Sequence, residues 1–225
     1  MSTPVLAQPV HRSHVAAAHG ALSWWHGTVV VIAGLAVGIG TQYLQGVLPD
    51  GWGVLANSGA AWALCAFAVG AVLPTPRLAA VGGAVHLVVA SVVYYASVDW
   101  FESAGSGNRA AVVWSAAGLV SGPVFGVAGH WFARRAERRD AVLALASGVL
   151  AGEGMHLVRF VGNPDLRTAG LVELCVAAVL GLAGLVRSSR SRLPSSTALV
   201  VALVLGAATV TLMSMRMIDA VFVLW

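Results

Sequence analysis

The chain reads as an all-α polytopic membrane helix bundle with seven transmembrane helices, and three observations predict it. Hydrophobic residues fill 58% of the 225 positions and charged residues only 10%, with a mean hydropathy of +0.84, whereas a soluble domain carries about 25% charge. Apolar stretches of about 18 residues or more, enough to cross a bilayer core, recur along almost the whole length. The gaps between them hold Pro, Gly, Asn and Asp, which end helices, and no strand-like alternation appears. Six spans are the alternative if the last segment lies on the membrane surface.

Each span has its own punctuation. The first, 28–48, stops at Pro49-Asp50-Gly51. The second, 56–73, opens on Asn57-Ser58 and stops at Pro74-Thr75-Pro76. The third, 78–97, closes on Tyr94 and Tyr95, and Gly105-Ser106-Gly107-Asn108 separates it from the fourth, 110–132. The run from Arg134 to Arg139 leads into the fifth, 140–159, and Gly162-Asn163-Pro164-Asp165 precedes the sixth, 168–187. Pro194-Ser195-Ser196 opens the seventh, 196–218. Seven spans leave no room for a soluble domain. Residues 1–27 read as a cytoplasmic tail and 28–225 as one transmembrane domain. The tail lacks the short apolar core and small-residue cleavage site of a signal peptide.

The net charge of +4 is not a nucleic-acid signal, because the 13 basic residues are all Arg and most sit in short loops. With the Ala, Val, Gly and Leu bias, this points to a high-GC bacterial genome and a plasma-membrane location. Cys65 and Cys175 lie inside spans, so no disulfide framework is implied. Loop arginines set the orientation. One side collects Arg12, Arg77, Arg134, Arg135, Arg138, Arg139, Arg187, Arg190 and Arg192; the other has Arg109, Arg159, Arg167 and Arg216 with Asp50, Asp99, Glu102 and Asp165. The first side is expected in the cytoplasm, with the N-terminus inside and the C-terminus outside. Tryptophans favour the interfaces: Trp24, Trp25 and Trp131 fall at the inner boundary, Trp52, Trp100 and Trp225 at the outer one, and Trp62 and Trp114 deeper.

Glycines at spacing four (Gly34/Gly38, Gly118/Gly122/Gly126, Gly148/Gly152) put flat stripes on three helices. Such stripes let backbones approach closely, either within the bundle or against a partner.

The ionisable groups within the spans gather toward one end. With a rise of about 1.5 Å per residue and a core of about 30 Å, Glu153 on the fifth span lies roughly 10 Å below the outer edge. Glu173 on the descending sixth span reaches the same depth, and His156 sits one turn above Glu153 on nearly the same face. Gln42, Gln45, Asn57, Trp62 and Tyr94 add polar or aromatic groups in the same half. Intramembrane charges are costly and mark functional candidates. These eight residues are therefore expected to face the interior as an outward-facing ligand-binding pocket for a small polar solute. Arg216 and Asp219, three apart, are expected to pair with each other.

Glu153-x-x-His156 has the spacing of helical carboxylate–imidazole metal pairs, but a second such pair is missing, and Met213, Met215 and Met217 read as adaptable packing. The tail histidines His11, His14 and His19, with His26, lack any fixed ligand spacing. No metal and no cofactor is expected.

Two resemblances follow from particular residues. Gly38-x-x-Thr41-x-x-x-Gln45-x-x-x-Pro49, Asn57-Ser58-Gly59-Ala60-x-Trp62-x-x-x-Ala66-Phe67-x-x-Gly70 and Tyr94-Tyr95 resemble a family of uncharacterised bacterial multi-pass membrane proteins, a domain of unknown function. The likeness covers roughly 34–130 and implies a compact helical membrane domain with no established activity. Ser121-Gly122-Pro123-Val124-Phe125-Gly126, followed by Arg134-Arg135-x-Glu137-Arg138, more weakly resembles the catalytic helix of rhomboid intramembrane proteases. The Gly expected two before the serine is Leu119, and the sixth span carries Glu173 where a rhomboid has its histidine base. Without that base the hydroxyl is not activated.

The expected function is a non-enzymatic membrane protein for the binding or transport of a small polar solute. The alternatives are a membrane scaffold or assembly partner, or homo-oligomer, docking through the glycine faces, and an intramembrane hydrolase. The expected partners are the lipid bilayer, the solute and a membrane-protein partner, with no nucleic acid.

Overall fold

The computed structural model describes residues 24–102, 107–161, 163–190 and 194–223. The tail 1–23 with His11, His14 and His19, the break at 103–106 and Trp225 lie outside them. The elements are α1 (Trp24–Val47), α2 (Asp50–Ala56), α3 (Gly59–Val72), α4 (Pro76–Glu102), α5 (Gly107–Arg134), α6 (Arg139–Arg159), α7 (Pro164–Ser189) and α8 (Pro194–Val223), with a short 3-10 turn, Ala136–Arg138, before α6. Among the described residues there is no strand, and seven stretches are long and apolar enough to cross a membrane.

Local chemistry sets the boundaries. α4, α7 and α8 each begin on a proline, whose fixed φ suits the first helical position and whose missing N–H costs nothing there. Thr75 caps α4 by accepting from Leu78 N at 3.2 Å. At the end of α5, Arg139 Nε donates to Phe132 O at 2.9 Å, and the Arg138 guanidinium lies 4.1 Å over the Trp131 ring. Arg187 pairs with Asp140 at 2.8 Å and ties α7 to the start of α6. These arginines gather at one end of the bundle, called here the arginine-rich end; the other is the far end.

The second span differs from its expected form. It is two helices, α2 and α3, broken at Asn57-Ser58. Pro49 precedes α2, so the residues between the first two expected spans are helical.

The helices form two groups. α1 packs on α4, and α4 and α3 pack on α5; α6 packs on α7 and α8. α2 rests on α1 and α7 and bridges the groups, and contact between α3 or α5 and α6 is slight. The surface inverts the pattern of a soluble protein: Leu64, Val81, Val120, Val179, Leu205 and Val210 are all exposed, apolar where lipid is the solvent.

The three glycine stripes are used within the chain. A Cβ at Gly38 would stand 2.7 Å from Ala90 O on α4, one at Gly122 2.5 Å from Gly83 O, and one at Gly126 would strike Ala79 O. Gly148 and Gly152 meet Val204 O and Ala208 O of α8 at 2.5 and 2.6 Å. At these glycines the chain's own helices supply the close neighbour. Gly154 and Gly170 pack reciprocally between α6 and α7, where a Cβ on either would stand 2.7 Å from the other's carbonyl oxygen, a pair that spacing within one helix does not reveal.

Candidate functional site

The site grows from the break in the second span. α3 has 14 residues, about 21 Å of helix, against a core of about 30 Å. Its N-terminus therefore stops about 10 Å inside the bilayer, where the free N–H groups of a helix start need partners. Each finds one. Ser58 N donates to Leu55 O at 3.2 Å, and Ala61 N to Ser58 Oγ at 3.0 Å. Gly59 N donates to Glu153 Oε1 and Ala60 N to Glu153 Oε2, both at 2.7 Å. Glu153 is thus a bidentate cap reaching across from α6, an anion at the positive end of a helix dipole. The other end of α3 is held by α5: His130 Nδ1 lies 3.0 Å from Leu73 O, and Arg134 donates to Ala71 O at 2.6 Å. His130 thus caps the end of a helix.

A second polar string supports the break from the opposite side. Asn57 Nδ2 donates to Tyr94 OH at 3.2 Å, and Tyr94 OH donates to Gln45 Oε1 at 2.6 Å. The Trp62 ring stands edge-on to Tyr94 with centroids 5.7 Å apart. Glu173 on α7 lies beside Glu153 and the Ser58 hydroxyl, which is placed to donate to it, and its two buried oxygens meet no other hydrogen-bond donor. Both carboxylates face the interior, Glu153 at 5% and Glu173 at 3% exposure.

His156 and Gln42 stand at the margin. The His156 ring is buried and its Nε2 lies 3.4 Å from Asp219 Oδ2 on α8. Arg216 does not take Asp219 as expected; its guanidinium lies 4.5 Å over Phe160. The two are three apart on one helix, but α6 brings His156 and Phe160 between them. Gln42 is half-buried on α1, three residues before Gln45.

Beside the break lies a cleft of about 640 Å³ between the two helix groups, walled by α3, α4, α5, α6 and α8. Of the eight expected ligand residues, only Asn57, Trp62 and Glu153 line it. Gln42, Gln45, Tyr94, His156 and Glu173 do not, because hydrogen bonding and packing turn them toward neighbouring helices. The single polar pocket read from depth is therefore corrected to a bonded polar cluster beside a largely apolar cleft. The cleft's further polar lining includes Ser91, Tyr95, Ser121, Thr211 and Ser214, of which only Tyr95 and Ser121 were singled out in the sequence, and neither as a ligand residue. Ser91/Tyr95 and Thr211/Ser214 are hydroxyls at helical spacing, a signal that depth counting alone ignores. Trp62 and Trp114, set apart in the sequence as lying deep, both line the cleft. A smaller groove of about 280 Å³ lies between α2 and α7, lined by Pro49, Trp52 and Thr168 among others.

The Ser121 hydroxyl donates back to Ala117 O at 2.8 Å, and no histidine lines the cleft. Met215 lies against the break, its Cε 3.3 Å from where a Cβ on Gly59 would be, while Met213 faces outward. Among the described residues no three of His, Cys, Asp and Glu come close enough to hold a metal ion.

No curated protein and no solved structure matches the chain. The resemblance read over 34–130 extends further, into α6, α7 and α8: the family model described as a family of unknown function (DUF6518) matches residues 17–216, and the chain belongs to that family.

Proposed function

We propose that the protein binds a small amphipathic molecule in the cleft between its two helix groups, without chemistry on it. The cleft carries this reading. Its volume of about 640 Å³ falls within the range of about 300–1,000 Å³ usual for small-molecule sites. Its walls are mostly Val, Ala, Leu, Ile and Met, and Asn57, Ser58 and Glu153 concentrate polarity at the helix break. That distribution narrows the expected polar solute to one with an apolar body and a hydrogen-bonding or cationic head. α5 and α8 form facing walls with at most slight contact between them, which favours entry sideways from the bilayer. The Ser121 hydroxyl is turned onto its own helix, which favours binding over hydrolysis.

The test is thermal unfolding of the purified protein against a panel of amphipathic amines, alcohols and lipids, with mass spectrometry of whatever co-purifies. A ligand at a hundred times its dissociation constant should stabilise the parent by about 2.7 kcal/mol. Ala117→Phe, which fills the cleft, should remove that gain. A panel without a stabiliser, together with a preparation carrying no bound molecule, would refute the reading. A peptide-cleaving activity lost in Ser121→Ala would replace it with catalysis.

We further propose that the membrane is a bacterial plasma membrane and that the arginine-rich end faces the cytoplasm, from the loop arginines. With Cys65 and Cys175 replaced, a cysteine at the exposed Arg167 should react with an impermeant thiol reagent on intact cells, and one at the exposed Ser189 should not. The reverse labelling pattern would invert the topology.

A further inference from the structure

We propose that Glu173 is a proton-binding site, holding an exchangeable proton beside the helix break so that the Glu153–Glu173 pair carries one negative charge and not two. The inference rests on the capped break alone and stands whether or not the cleft takes a ligand.

The two carboxylates are in unequal situations. Glu153 spends both oxygens accepting backbone N–H groups at 2.7 Å, an arrangement that favours the anion, which accepts strongly on both sides. The α3 N-terminus adds a positive field of about half a unit charge. That offsets one carboxylate. Glu173 stands next to it with 3% exposure, and its shielded oxygens have the Ser58 hydroxyl as their one neighbouring donor, too little to offset a full charge. The side chain is not turned away from the break, because Glu153 and the Ser58 hydroxyl are its electrostatic neighbours.

The elements packed on α7 bring no cation to Glu173 among the described residues. α6 brings Glu153 and His156; the His156 Nε2 is directed at Asp219 of α8 while its Nδ1 is buried without a partner, and Arg159 at the end of α6 is exposed. Arg216 of α8 is exposed and lies over Phe160. Asp50 of α2 is a further acid, its side chain outside the description. An isolated carboxylate taken from water into an apolar interior is costly enough that it neutralises. A hard metal cation would be the other way to balance the charge, but such ions gather about six oxygen ligands. Here Glu153 is already bonded to Gly59 and Ala60, and Ser58 Oγ already accepts from Ala61 N at 3.0 Å. A proton needs no such shell. Glu173 as the neutral acid acquires an O–H donor that it can turn toward Glu153 or Ser58.

Infrared spectroscopy of the purified protein at neutral pH tests this directly. The parent should show a protonated carboxylic C=O band that shifts in deuterium oxide, and Glu173→Gln should lose it. Because Gln reproduces the shape of the neutral acid, Glu173→Gln should unfold at the parent's temperature, whereas Glu153→Gln should unfold earlier. A parent without the band, a band that survives in Glu173→Gln, or a Glu173→Gln protein that fails to fold or unfolds as early as Glu153→Gln would overturn the proposal. So would a parent stabilised by sodium or potassium over choline at equal ionic strength when Glu173→Gln is not, which would place an alkali cation at the site.

Discussion

Glu153→Ala should destabilise the protein by about 3–5 kcal/mol, measured by unfolding in detergent. The change strips two charge-assisted hydrogen bonds from the start of α3, at Gly59 N and Ala60 N, and leaves both donors inside the membrane. Hydrogen bonds to charged groups are worth about 1.5–3 kcal/mol each, and a buried donor left unmade adds its own desolvation. The cleft touches Glu153, so water can enter and hold the loss within that range. Glu153→Gln should fall between Ala and the parent, because the amide oxygen accepts from one N–H while its NH2 confronts the other. Glu153→Asp should restore little, as the shorter arm cannot reach both donors. The expectation from sequence was different: Glu153 as a ligand residue would be removable with the bundle intact. Unfolding of Glu153→Ala together with the parent would return it to that role.

Gly126→Leu should abolish the folded bundle, and Gly126→Ala should already cost about 1–3 kcal/mol, the usual range for overpacking a close contact. A Cβ at Gly126 points into the backbone carbonyl of Ala79, and Gly126 in turn closes on Gly70 of α3. Backbone on both sides cannot swing away as a flexible side chain could. Gly206→Ala on α8 is the control. Nothing stands within 4 Å of the new methyl there, and replacing a helical Gly by Ala gains about 0.5–1 kcal/mol. Equal tolerance at both positions would mean that α3, α4 and α5 are not packed through their glycines. The result also separates packing from docking. If Gly126→Ala or Gly122→Ala left the monomer intact and removed only a co-purifying partner, those faces would be docking surfaces after all.

Much of the fold was legible because a membrane chain has few choices. Every backbone group within the lipid must be satisfied internally, so an apolar run punctuated by Pro and Gly has one regular form, and its bounds follow from the punctuation. The expected 28–48 and 168–187 lie inside the observed Trp24–Val47 and Pro164–Ser189 to within a few residues. The break at Asn57-Ser58 was half legible. These residues read as the start of a span, and Ser58 does cap α3. All of α2 but Ala56 went unread as helix, because Pro49-Asp50-Gly51 resembles a plain loop. Pro49 instead sits where a helix N-cap tolerates it. Arg216 and Asp219 were misread for a related reason. Spacing three on one helix permits a pair, but a neighbouring helix offered Asp219 an imidazole and Arg216 an aromatic face.

The sequence by itself determined the environment, the number and approximate limits of the spans, and the shared depth of Glu153 and Glu173. Hydropathy, helix-ending residues and the rise per residue are local properties, and they accumulate along the chain without reference to its neighbours. Tertiary structure alone decided what those depths mean. Glu153 meets Gly59 across 94 residues of sequence, and α6 crosses the start of α3 at the height where the broken span needs an acceptor. Partnership in a bundle depends on which helices touch and at what height, and no single helix carries that information.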